Sequence, residues 1–481
     1  MMVGTKRSNW CDRKGRNVYS VWMVLLFLMF VCLLQLLPVH SSFSAGYNAD
    51  LRVGISIIGD HLELSFGDEY CLFDVVSGEF LPLNAGRYKI LPVKSRIEIC
   101  DLRGENRASV EGPLFLQPVE LPFADSSFQL HNALYGLEYR GALEIIPEGK
   151  GLLAVNVLDL ESYLLSVLPA EMPAFWGNDG GMEALKAQAI AARTFAHFNR
   201  EARRHSGYHL CDQEHCQVYK GKGAENPCTD RAVRETSGKV LTYGGRIIEA
   251  FYHASNGGFT ELSQNVWQKS SPYLASVPDP YDDPDNPLGL PGFMRCSPWK
   301  VTLSRQILSA RLAEKGYNIG EVERIDIVSS FASGRVEEIA LQGKSGKTLF
   351  LTKEDARVAL GLESQLYSIS GSTWGAQLCA VSAKSGAEKK ENFSDLEGKW
   401  VVNGHNNQMK SVLHGSKFFV HGDKEKGSIP RTSSASLVFE GRGRGHGIGM
   451  SQYGAYNRSR AGHTCREILS FYYPGAEIVV R

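Results

Sequence analysis

Glu183-Ala-Leu-Lys-Ala-Gln-Ala-Ile-Ala-Ala-Arg-Thr-Phe195 is the stretch that decides the fold class of this 481-residue chain. Leu185, Ala189, Ala192, Phe195 and Ala196 recur at three- and four-residue spacing, which puts one apolar stripe on a helix. The spacing predicts a helix from Glu183 to about Ala202, opened by a turn at Asn178-Asp-Gly-Gly181. Upstream the period changes to that of strands. Leu51-Arg-Val-Gly-Ile-Ser-Ile-Ile58, Leu62-Glu-Leu-Ser-Phe66, Tyr139-Arg-Gly-Ala-Leu-Glu-Ile-Ile146 and Leu152-Leu-Ala-Val-Asn-Val-Leu158 alternate or run apolar, with Gly and Pro between them. Asp159 is a candidate N-cap for a short helix through Leu165. Downstream, strands are expected at Lys239–Tyr243 and Ile247–His253. A proline-rich irregular surface segment is expected at 276–298, and α+β structure again at 320–371. The whole reads as a mostly β, α+β fold around one central helix.

Between the strand ending at Leu158 and that helix lies Leu168-Pro-Ala-Glu171-Met-Pro173. Proline fixes φ and biases the residue before it away from helical backbone, so Glu171 is expected on a short, stiff connection. Leu168, Met172, Phe175 and Trp176 would desolvate its carboxylate, raising the pKa toward working pH as a general acid requires. On spacing alone, a solvated turn glutamate fits as well.

The N-terminus is of another kind. Lys6, Arg7, Arg13, Lys14 and Arg16 precede a nearly uncharged apolar run from Val18 to Val39. That length reaches the roughly 20 residues needed to span a bilayer and exceeds the roughly 7–15 of a signal-peptide core. Ser42-Phe43-Ser44-Ala45 offers a cleavage site, but the length favours an uncleaved membrane anchor. The basic flank then stays inside, and residues from about 46 lie on the extracytoplasmic side of the cell membrane. The expected organisation is an anchor at 1–45, an N-terminal β region at 46–130 and a main domain at 131–481. A polar, lysine-rich insertion interrupts the main domain at about 372–435. Fifty-two basic residues balance fifty-two acidic ones, for a formal net charge of +0. No basic stripe stands out, which argues against a nucleic-acid partner. An exported chain can form disulfides, and Cys71 with Cys100 is an expected pair.

Three polar stretches carry chemistry. Tyr208-His-Leu-Cys-Asp-Gln-Glu-His-Cys-Gln-Val-Tyr219, with His205 just upstream, gathers thiols and imidazoles in one loop. Four such donors suit a tetrahedral Zn²⁺ site of structural type; a small Cys211–Cys216 disulfide loop is the other reading. Tyr252-His-Ala-Ser-Asn-Gly-Gly258 follows a strand and is either an ordinary turn or one whose N–H groups meet a sugar or oxyanion. Gly441-Arg-Gly-Arg-Gly-His-Gly-Ile-Gly-Met-Ser-Gln-Tyr-Gly454 has glycine at every second position at its start, which permits close approach of another chain. It lacks the spacing of a phosphate-binding loop.

Leu158-Asp-Leu-Glu-Ser-Tyr-Leu164, Leu168–Pro173, Glu183–Phe195, Cys216-Gln-Val-Tyr219, Tyr252–Gly258, Gly443–Ala455 and Glu467-Ile-Leu-Ser-Phe-Tyr-Tyr-Pro-Gly-Ala476 together resemble the core signature of the SpoIID/LytB family. The motifs occur in the expected order from about residue 130 to 475. The resemblance implies a membrane-anchored lytic transglycosylase that cleaves peptidoglycan glycan strands stripped of stem peptides, in sporulation or division, with Glu171 as catalytic acid. It also implies zinc held by His205, Cys211, His215 and Cys216. Gln217, Tyr219, Ser255, Gly257, Gly258, His446 and Gln452 are the groove candidates for gripping N-acetyl sugars. A second branch of the family is described as enhancers of an amidase, so a binding role beside a cell-wall hydrolase stands as the alternative. Trp176-Gly-Asn-Asp-Gly-Gly-Met182 is longer than the family's usual connection between motif and helix.

Overall fold

The computed structural model describes residues 51–370 and 436–481, apart from 57–60, 95, 120–125, 132–135, 203 and 268, plus four short strands between 381 and 411. The expected anchor and most of the expected insertion lie outside the described residues. The fold is mixed, with more strands than helices, consistent with the α+β expectation.

Two sheets form the N-terminal half. One runs Leu210–Cys211, Leu51–Ile55, Gly151–Leu158, Ala142–Glu148, Leu114–Pro118, Tyr70–Asp74 and Phe80–Leu81. The other runs Gly136–Arg140, Ser127–His131, Leu62–Phe66, Gly86–Val93, Arg96–Cys100 and Asn106–Val110. Leu62, Leu64 and Phe66 alternate inward on one sheet, and Leu114 and Leu116 on the other, as a period of two requires. Their buried faces share one apolar core, with Tyr70 edge-on to Phe128 across the sheets. The boundary drawn between 130 and 131 falls inside the strand Ser127–His131, which pairs with Gly136–Arg140. The single strand expected over Tyr139–Ile146 is divided at Gly141, whose φ of 81° turns the chain from one sheet into the other. Cys71 and Cys100 lie on different sheets and are both free thiols, so the expected pairing does not form.

The motif helix runs Leu160–Glu171, capped by Asp159 accepting from the Ser162 N–H. It passes the expected end at Leu165 and includes Pro169, so Glu171 sits on the helix and not on a separate connection. An interior proline costs about 3 kcal/mol. Tyr163, Leu164, Val167 and Leu168 are fully buried on the same helix, each worth roughly 1.5–3 kcal/mol, and their burial wins. The central helix, Met182–Ala202, buries the expected stripe. Arg193, itself buried, forks onto both carboxylate oxygens of Glu161 at 2.6 and 2.7 Å and locks the two helices together.

A satellite lobe follows. Strands Trp299–Ser304, Ser436–Gly441 and Tyr367–Ser370 form one sheet; Val322–Ser330, Val336–Gly343 and Thr348–Thr352 form another. Helices Arg305–Glu314 and Lys353–Leu360 cover them, and Leu308, Leu312, Ile325, Ile339, Leu360 and Phe439 make a second core. Tyr367–Ser370 pairs with Ser436–Gly441, so stretch 371–435 leaves and returns at neighbouring strands. The proline-rich segment 276–298 is irregular as expected, yet it drives Asp279 and Asp282 into the interior.

Candidate active site and metal centre

Glu171 ends the motif helix, and Met172 leaves it in extended conformation. Met172, Leu168 and Trp176 are buried around it, whereas Phe175 is 59% exposed. The carboxylate accepts the Val218 N–H at Oε1 (3.0 Å) and the Gln452 Nε2 at Oε2 (3.4 Å). The Tyr252 hydroxyl is a further donor. Gln217 Nε2 donates to that hydroxyl (2.9 Å), which leaves the hydroxyl's own hydrogen for Glu171. Burial raises the Glu171 carboxyl above its ordinary value; the three donors pull it part of the way back, and the charge of Glu214 pushes it up again. The result is a held carboxyl biased toward its protonated form, what a proton donor to a leaving group needs.

Two residues before Val218 the loop presents its donor set. His205, Cys211, His215 and Cys216 bring ligand atoms to within 4.8 Å of one another. His205 Nε2 lies 3.3 Å from Cys216 Sγ, and His215 Nδ1 lies 3.4 Å from Cys216 Sγ and 3.7 Å from Cys211 Sγ. Metal–sulfur bonds of about 2.3 Å and metal–nitrogen bonds of about 2.0 Å at tetrahedral angles give edges of about 3.3–3.8 Å, so the residues present fit a tetrahedral ion. Both thiols are free, not joined. Tyr208 stacks on the His205 ring at 4.6 Å, and Asp212 anchors the loop by accepting the Ser56 N–H and hydroxyl. His209 is outside the set, its Nδ1 accepting the Arg52 N–H at 3.1 Å.

Residues 148–243, which contain the motif helix, the central helix and this loop, match the family model SpoIID, a stage II sporulation protein. Over 446 residues the chain is 30% identical to the amidase enhancer of Bacillus subtilis (strain 168), covering 90% of this chain and 54% of that protein. It therefore spans about half the length of that relative. The stage II sporulation protein D of the same organism is 28% identical over 342 residues, 68% of this chain and 76% of its own length. An uncharacterized protein of Brachyspira hyodysenteriae (strain ATCC 49526 / WA1) is 28% identical over 401 residues, 82% and 88% of the two chains. The chain thus resembles the SpoIID family, whose model matches residues 148–243.

The structure redistributes the groove candidates. Gln452 touches Glu171 as expected of a site residue. Gln217 is fully buried and braces the site from behind, spending its amide on Tyr252, Ala192 and Tyr163. Tyr219 packs against Tyr163 in the core and donates to buried Asn156 at 2.7 Å, which takes its hydroxyl away from a sugar. Ser255 is buried with its hydroxyl on Asp282. Gly257 and Gly258 hold left-handed φ of 68° and 103° and pack against the Arg442–Gly443 backbone and Asp283. His446 is enclosed by Trp267, Phe251 and His253, and its Nδ1 accepts the Ile448 N–H at 3.0 Å. Burial, with Arg357 and Arg335 nearby, pushes its imidazole down to about 3, which favours the neutral ring. For Gln217, Tyr219 and Ser255 the hydrogen-bond partners lie far along the chain, which local sequence does not show. Sequence reading missed the Val218 N–H and Tyr252. Tyr252 stands in the quoted Tyr252–Gly258 stretch, but only its contacts with Gln217 and Glu171 give it a role.

Proposed function

We propose that this chain is a peptidoglycan lytic transglycosylase that cuts the MurNAc–GlcNAc bond, with Glu171 as general acid and then base. The observation that carries the reading is the enclosed Glu171 carboxyl, raised by burial yet held by Val218, Gln452 and Tyr252. The protonated carboxyl gives its proton to the glycosidic oxygen as the anomeric C–O bond breaks. The carboxylate then takes the proton of the sugar's own 6-hydroxyl, whose oxygen bonds to the anomeric carbon. The products are a free 4-hydroxyl and a 1,6-anhydro end, so one carboxyl serves both steps, where hydrolases use two. Glu183, Asp212 and Glu261 are engaged with Lys186, Ser56 and Ser333 respectively.

The loop His205, Cys211, His215 and Cys216 would hold one Zn²⁺ in a structural role. When bound, that ion neutralises the thiolates and fixes the loop that presents the Val218 N–H to Glu171. The basic flank and apolar run at residues 6–39 would anchor the chain in the cell membrane, with the site on the extracytoplasmic side. The name of the amidase enhancer relative favours a second reading, a peptidoglycan-binding partner of an N-acetylmuramoyl-L-alanine amidase.

Incubation of residues 46–481 with purified glycan strands lacking peptides, followed by mass spectrometry, separates the readings. Anhydro-muramyl ends, lighter by one water than reducing ends, are the expected product. Reducing ends alone would mean hydrolysis, with Glu214 as the next acid to test. Absence of any cleavage, with stimulation of an added amidase, would establish the enhancer reading.

A further inference from the structure

We infer that Arg335, at a turn of the satellite lobe, is a positioning residue for the site around Glu171. The turn between strands Val322–Ser330 and Val336–Gly343 does not end in solvent. It pushes a fully buried guanidinium into the main body. Arg335 Nη1 donates to the Phe259 carbonyl and Nη2 to the Asn256 carbonyl, each at 2.8 Å. Gly447 lies so close that the guanidinium leaves no room for a side chain there. Two residues earlier in the same turn, the Ser333 hydroxyl donates to buried Glu261, whose own N–H donates to the Gly447 carbonyl at 2.8 Å. Arg335 and Ser333 therefore grip the two turns 255–259 and 445–449 at once.

Both side-chain donors to Glu171 hang from these turns. The Asn256 N–H and the Ser451 hydroxyl converge on Oδ2 of Asp282, and Ser451 is the N-cap of the helix Gln452–Arg460 that begins with Gln452. On the other side, Ile448 between Gly447 and Gly449 accepts from His253 Nδ1 at 3.1 Å, one residue from Tyr252. Backbone bonds from Ser255 to Arg444, from Met450 to Phe251 and from Tyr453 to Ala254 tie the two turns together. An arginine fork that fixes two carbonyls at once leaves these turns one arrangement. Arg335 thus touches no substrate and acts through Gln452 and Tyr252. The inference rests on the role of Glu171 proposed above, but its test does not.

The test is Arg335→Lys in the chain from residue 46, read by amide hydrogen exchange without substrate. A lysine keeps the charge and reaches one carbonyl at most. Exchange is expected to rise at the N–H groups of Ser255, Glu261, Met450 and Tyr453, while the strands Val336–Gly343 and Thr348–Thr352 stay protected. Glycan cleavage should lose about ten- to a hundredfold in kcat with little change in KM, the signature of misplacement and not of lost binding. Unchanged exchange at Met450 and Tyr453, or a rise confined to the satellite strands, overturns the inference. Should the lysine variant fail to fold, Ser333→Ala decides: a smaller rise at the same four amides supports it, and no rise there overturns it.

Discussion

The loop from His205 to Cys216 and the paired turns at 253–258 and 443–452 are both irregular, polar and adjacent to Glu171, yet they spend their polar groups in opposite ways. In the loop, two imidazoles and two thiols point at one another at 3.3–3.7 Å. In the turns, Ser255, Asn256 and Ser451 all end on Asp282, and His446 ends on the chain's own backbone. A set of imidazoles and thiols that face one another suits a ligand; a set that closes on a buried carboxylate is arranged to hold shape. Polar residues in a loop thus identify a binding site only once their partners are known.

The comparison makes graded predictions. Glu171, where both regions meet, gives the largest effect. Glu171→Gln should lower glycan cleavage about 10²–10⁴-fold, measured as anhydro ends released per unit time. Its carboxyl is raised in the fold, so the wild type loses stability as pH rises from the unfolded value through the folded one. The variant should therefore melt no lower than wild type at neutral pH. A fall in Tm with activity retained would break the assignment.

Next in size is the ligand loop. The chain from residue 46 should carry about one Zn²⁺ by elemental analysis, and Cys211→Ser or Cys216→Ser should release it and expose residues 204–226 to protease. Finding Cys211 and Cys216 as a disulfide in active, metal-free protein would place the loop in the same self-satisfied class as the turns.

For the turns, Asp282→Ala should cost about 2–4 kcal/mol in denaturant unfolding, because it leaves buried hydroxyl and N–H donors without an acceptor. The same variant should keep its zinc. Loss of zinc there would show that the two regions are one coupled unit.

The smallest effect is at His446. Its imidazole, pushed down to about 3, stays neutral in the fold while the unfolded chain takes up a proton below about 6.5. Its contribution is present above pH 6.5 and is lost as pH falls toward 3. His446→Gln should change stability by under about 1 kcal/mol at pH 7 and flatten the acid-side decline of the unfolding midpoint. A pH–activity limb that disappears in this variant would instead restore His446 as a functional group.

Some of this was legible without coordinates. The stripe Leu185, Ala189, Ala192, Phe195 and Ala196 is buried as its spacing predicts. Strands Leu62–Phe66 and Lys239–Tyr243 stand where alternation placed them. Local rules end the motif helix early because Pro169 weighs heavily in them, while the burial of Tyr163 and Leu168 that overrides it comes from the surrounding fold. Of the site, Glu171 and Gln452 came from motif, and so did the four ligand residues, whose donors lie within twelve residues of one another and need only a loop to meet.

What the sequence determined by itself was whatever depends on near neighbours: helix and strand period, the apolar setting of Glu171 and a compact set of metal-type donors. Only the tertiary structure decided which polar groups are free to act. Tyr219 is claimed by Asn156, Ser255 by Asp282 and the Gly447 turn by Arg335, at separations of 63, 27 and more than a hundred residues. A hydrogen bond depends on distance in space, and the fold alone sets that distance for residues far apart in the chain.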